Sequence, residues 1–171
     1  MGKVSLSFAC FYMLSTSFYT NAADPVTLNI TGNIVASPCQ INGDSINKSV
    51  DLGQNIQASD LKTAGSSSNW VKFNLNIGSC PVGTTKVTMT MHGTPDSPGV
   101  LDLYQNTGTA SNVAVQLQME TGEVMGDGQS YTGTIYNNAY SFKMQARAYT
   151  SNGNVTPGTI STVVTATFTY Q

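Results

Sequence analysis

Histidine, carboxylates, thiols and thioethers are the side chains that could carry catalysis or hold a metal, and this sequence uses them sparingly. His92 is the single histidine. Neither a Ser-His-Asp triad nor a histidine-based metal cluster has the material it needs, and His92 reads as a strand-end residue. Asp96, Asp102, Glu120, Glu123 and Asp127 are scattered over loops and turns. Two facing carboxylates could hydrolyse a glycosidic bond, but nothing in the spacing brings two of these together, and they read as solvated. Met89, Met91, Met119 and Met144 fall at strand positions, where the flexible thioether is expected to fill core space rather than ligate. Asn29-Ile30-Thr31, Asn47-Lys48-Ser49 and Asn154-Val155-Thr156 match the glycosylation triplet, a pattern common by chance. No glycine-rich phosphate loop is present. The reading therefore assigns no catalytic residue, no cofactor and no metal, and does not make the chain an enzyme.

The cysteines point to structure instead. Lys3 supplies a short positive start, an apolar stretch runs from Val4 to about Tyr19, and Thr20-Asn21-Ala22 places small residues where a signal peptidase reads. The stretch is interrupted by Ser and Thr and is shorter than the ~20 mainly apolar residues of a spanning helix. Residues 1–22 are accordingly expected to be a cleaved signal peptide. Cys10 leaves with it, and Cys39 and Cys80 remain as an even pair in an exported chain, where a disulfide is the natural state. Two lone cysteines without a nearby histidine make a poor zinc site. A bond between them closes a loop of about 40 residues and stabilises by roughly 4 kcal/mol in the chain-entropy model.

Charged residues are only 9% of the chain against 40% hydrophobic, well below the ~25% charged of ordinary soluble proteins. Enough apolar surface exists to build a core, which separates the chain from disordered sequences. The formal net charge of −2 with no basic cluster makes nucleic acid an unsuitable partner.

The elements behind these residues are strands. Val26–Ile34, Val71–Ile77, Lys86–Met91, Val113–Met119, Tyr140–Ala146 and Ile160–Tyr170 alternate apolar and polar residues, the signature of half-buried strands. Turn-forming clusters such as Asn42-Gly43-Asp44, Pro81-Val82-Gly83 and Asn152-Gly153-Asn154 separate them. Only Gln54–Ala64 has spacing open to a turn or two of helix. Many short strands with turns between them predict an all-β sandwich. Antibody domains place a buried Trp between two bridged cysteines. Here Trp70 precedes Cys80 by ten residues and Cys39 lies near the mature N-terminus, so the cysteine framework is a different one.

Two ends stand out. Val26, Leu28, Ile30, Gly32 and Ile34 share one face of an N-terminal strand, with Thr27, Asn29, Thr31 and Asn33 on the other. Near the C-terminus, Gly158 is followed by Ile160, Thr162, Val164, Ala166, Phe168 and the penultimate Tyr170 at every second position. By alternation alone the simpler reading is that these are the first and last strands of the chain's own sandwich, since most such strands pair within their own domain.

Taken together, the order of these features resembles the chaperone–usher pilin family, specifically the minor, tip subunits of type 1 fimbriae. The resemblance rests on the alternating extension with Gly32 at its fourth apolar position, Ser37-Pro38-Cys39, Ser79-Cys80-Pro81-Val82-Gly83, Asn106–Leu117, Gly158 fourteenth from the end and Tyr170 next to last. It covers essentially the whole chain after the signal. It implies an immunoglobulin-like sandwich lacking its final strand, with a donor-strand extension at 23–36 and a pilin domain at 37–171. It further implies that Val26, Leu28, Ile30 and Ile34 enter a neighbouring fimbrial subunit's groove, with Gly32 where that groove is shallow. Pro25 has no N–H for a ladder, so pairing starts at Val26. Gly158, Val164, Ala166, Phe168 and Tyr170 would belong to the strand that edges this chain's own groove and pairs with a periplasmic chaperone. An outer-membrane usher and a tip adhesin complete the implied partners, and export through the periplasm to a surface fimbrium is the implied route. The function so implied is a structural pilin; the alternative is a single-domain fimbrial adhesin that binds a host glycan or protein.

Overall fold

A computed structural model describes residues 29–33, 37–97 and 100–171. Contacts divide the chain into a unit ending at Asn33 and a second running from Ile34 to Gln171. In the first, residues 29–33 carry neither helix nor strand.

The second unit is a two-sheet sandwich. Its strands are β1 (Gln40–Ile41), β2 (Val71–Gly78), β3 (Lys86–Gly93), β4 (Leu103–Gln105), β5 (Ala114–Met119), β6 (Ser130–Thr134), β7 (Tyr140–Tyr149) and β8 (Val164–Tyr170). One sheet runs β1-β2-β7-β5-β4 and the other β6-β3-β8, with every pairing antiparallel. The Gln54–Ala64 stretch contributes a single 3-10 turn, Ala58–Leu61, with Leu61 buried.

Alternation decides which faces meet. In β7, Phe142, Met144, Ala146 and Ala148 point into the sandwich, and in β3 Val87, Met89 and Met91 do the same from the other sheet. Met89, Met91, Met119 and Met144 are all buried in this core, the filling expected of them. Phe142 joins the layers, its ring 4.7 Å from Tyr140, 6.4 Å from Tyr131 and 5.8 Å from Phe168. Between β6 and β7, Asn137 and Asn138 both take positive φ (49° and 59°). That pair of left-handed residues matches the twist of a two-residue hairpin, and asparagine tolerates it. Cys39 and Cys80 are bonded, with Cα atoms 4.2 Å apart, pinning the chain's entry to the loop after β2.

The carboxylates are more specifically engaged than the sequence suggests. Asp102 accepts from the Nε2 groups of Gln116 (2.6 Å) and Gln118 (2.7 Å), and Arg147 Nε donates to Gln116 Oε1 at 2.7 Å while its guanidinium lies 4.1 Å over the Trp70 ring. Asp127 accepts from the Gly93 amide at 3.1 Å. His92 sits near the end of β3 with Nε2 3.3 Å from the Thr167 hydroxyl.

Candidate strand-accepting groove

β8 lies at the edge of its sheet. It pairs with β3 along one side, from Val87↔Tyr170 to Gly93↔Val164, and among the described residues no strand pairs with its other side. Its alternation is that of a half-covered strand: Thr165, Thr167 and Thr169 are exposed, while Val164, Ala166, Phe168 and Tyr170 are only partly buried, though they face the core. Core-facing residues of β3 and β7 on the same layers are fully buried. The difference is that, among the described residues, β8 has a neighbouring strand on one side only.

That deficit has a shape. A groove of about 1140 Å³ runs along Val164, Ala166 and Phe168, with Ile46, Leu52 and Ile56 from the segment between β1 and β2 also lining it. The buried side chains of Leu75, Met91, Tyr104 and Leu117 contribute to its lining. Tyr104 is fully buried and donates its hydroxyl to the Met125 carbonyl at 2.9 Å. Burial, with Asp127 nearby, pushes its phenol far above the ordinary tyrosine range, and burial also raises Tyr170. Ser45, Lys48, Asp51 and Ser161 add polar groups to the lining, so the groove has an apolar floor under a polar rim. Such a groove beside a strand edge can take an added strand, main-chain bonds supplying affinity and side-chain pockets supplying selectivity.

One end of the groove is built by a clasp the sequence did not reveal. Alternation in the sequence extends the last strand back to Ile160, with Gly158 grouped beside it, whereas the strand begins at Val164 and both Gly158 and Ile160 lie before it. Residues 154–161 are instead tied to the loop 106–112. Thr107 N donates to Ser161 O (2.8 Å), Ala110 N donates to Thr159 O (3.1 Å), and Asn106 Oδ1 accepts from the amides of Gly108 (2.9 Å) and Ser161 (2.8 Å). The two backbones approach so closely that a Cβ on Gly158 would lie 2.4 Å from Ala110 N, and one on Gly108 2.1 Å from Thr159 O. Glycine at both places is thus a demand of close approach. The signal was present as two glycines amid Asn and Thr, but its pairing is between distant segments.

Of the extension, Val26, Leu28 and Ile34 lie outside the described residues. Ile30 is 84% exposed, and nothing approaches within 4 Å of where a Gly32 Cβ would stand.

The family model for fimbrial protein matches residues 28–171. The chain belongs to the fimbrial protein family. This pilin is 37% identical to protein FimG of Escherichia coli K12 over 161 residues, covering 93% of each chain. It is 38% identical to the S-fimbrial adhesin protein SfaS of Escherichia coli O6:K15:H31 over 156 residues, covering 90% of each. Among solved structures, the P pilus rod subunit PapA superposes with a TM-score of 0.66 at 23% identity, covering 79% of this chain and 100% of that one. The P pilus adaptor subunit PapF gives 0.54 at 19% identity, covering 81% and 100%. The fold is accordingly the immunoglobulin-like pilin sandwich that lacks a strand. The chain is a pilus subunit of the chaperone–usher kind; its place is the extracellular fimbrium, among other fimbrial subunits.

Proposed function

We propose that this pilin polymerises by strand exchange as a minor subunit near the fimbrial tip. The observation that carries the reading is the edge of β8, unpaired among the described residues, over a groove floored by apolar core side chains, in a chain that also has a separate N-terminal run of alternating apolar residues. The groove receives a strand from one neighbour, and Val26, Leu28, Ile30 and Ile34 enter the groove of the other, Gly32 marking a position without a side chain to bury. Before assembly, a periplasmic chaperone lends a strand to β8, because an exposed apolar strand edge otherwise invites aggregation. Exchange then takes place at the outer-membrane usher, after residues 1–22 are removed and with 23–36 acting as the donor segment of the 37–171 domain. Support for the tip position comes from the similarity to FimG, which would set the chain beside a tip adhesin. The reading is structural and involves no enzymatic step.

Similarity to SfaS, an adhesin by name, favours a second reading in which the same subunit also binds a host glycan or protein through its exposed loops.

Deletion of residues 23–36 tests the main reading. The shortened chain should accumulate in the periplasm bound to chaperone and be missing from fimbriae at its junction with the preceding subunit. Normal incorporation of the deleted chain would refute the donor role.

A further inference from the structure

Val82 is 99% exposed and Tyr136 79% exposed, and both stand on the same end of the sandwich. Val82 tips the connection from β2 to β3, and Tyr136 tips the hairpin from β6 to β7. The two loops are stapled to each other. Cys80 N donates to Asn138 O (3.0 Å), Asn138 Nδ2 donates back to Cys80 O (2.8 Å), and Ile135 N donates to Thr85 O (2.9 Å). Thr84 N closes the Val82 turn onto Pro81 O at 3.1 Å, and the Cys39–Cys80 disulfide anchors its base. Two large apolar side chains are thus held out on a braced scaffold, so little ordering entropy remains to be lost when they are covered. Neither 79–85 nor 135–139 contains a charged residue. Absence of charge with tyrosine present is the composition of an interface centre rather than of a solvated rim.

The covalent path names the occupant. The chain enters the domain at Cys39, bonded to Cys80 at the foot of the Val82 loop. From Asn33 to Cys39 the chain spans at most about 20 Å even when fully extended. Whatever subunit holds the Val26–Ile34 strand is therefore tethered within that reach of this end. We infer that Val82 and Tyr136 form a second docking surface, placed against the body of the fimbrial subunit that accepts this chain's N-terminal strand. The surface limits the swivel that the short connection would otherwise allow and sets the angle between successive subunits. This rests on the strand-exchange reading, and the contact is heterologous, head to tail, as an open fibre requires.

Two single-cysteine variants, Thr31→Cys and Tyr136→Cys, each carrying a maleimide-linked benzophenone on the new thiol, separate the two ideas in intact fimbriae. Thr31 lies on the strand face opposite the apolar knobs, so its label reports which subunit holds the strand. After irradiation and dissociation, both labels should attach mainly to the same neighbouring subunit. If the label at 31 marks a neighbour while the label at 136 marks another chain or none, the docking surface is overturned and strand exchange stands. If the label at 31 captures no fimbrial subunit, strand exchange falls and this surface with it.

Discussion

Tyr104 carries more of the molecule's design than any residue the sequence drew attention to. It is fully buried among core residues, donates to the Met125 carbonyl at 2.9 Å, and its ring helps line the groove. Its phenol titrates far above the ordinary range because burial disfavours the anion. The sign follows directly. Above about pH 10 the unfolded chain releases this proton while the folded chain keeps it. The stability present below that pH is then lost as pH rises, by up to about 1.4 kcal/mol per pH unit for this group. Tyr140 and Tyr170, both raised by burial, act in the same direction. Tyr104→Phe should destabilise at pH 7 by about 1–3 kcal/mol, since it strands a buried carbonyl, and should flatten the alkaline decline; urea unfolding at pH 7 and pH 11 reads both. Methionine packing and the strand-end place of His92 could be read from the sequence. The ties of Asp102 to Gln116 and Gln118 could not, because they cross from one strand to the residues before its neighbour.

At the scale of elements, β8 and its clasp define the groove. Gly158→Ala would drive a Cβ to 2.4 Å from the Ala110 amide nitrogen, where backbone rather than a yielding side chain must shift. The variant should lose about 1–3 kcal/mol of stability, in the range of ordinary strain-inducing changes, with amide exchange rising first in 106–112 and 154–161. Unchanged exchange in those two segments would mean the approach is looser than it stands here. Strands with an unbroken alternation of side chains, β2, β3, β5 and β7, were legible because period two is unambiguous there. β6 was not. Its inward positions are Tyr131 and Gly133, and the space over Gly133 is filled by Tyr140 from the next strand, which a Cβ would strike at 2.2 Å. β4, only three residues long, is too short for periodicity to register. The start of β8 was set too early because alternation continues through Ile160 and Thr162, while backbone bonding there goes to the 106–112 loop instead of to β3.

For the whole molecule, an incomplete sandwich is the feature that ties fold to assembly. The deficiency was legible only through the joint pattern of two chain ends; each alone fits an ordinary strand. The central claim is that β8 lacks a strand and that an alternating segment such as 23–36 can supply it. A graft of residues 23–36 after Gln171, through a flexible linker long enough to turn back along β8, puts the missing strand within reach in one chain. Thermal unfolding of this grafted protein against the same protein carrying Ile30→Asp in the graft is the most direct measurement. Filling the groove should raise Tm by at least about 10 °C, and the aspartate should abolish most of that gain by burying an unpaired charge. Equal Tm values for the two grafts and the ungrafted chain would contradict the account.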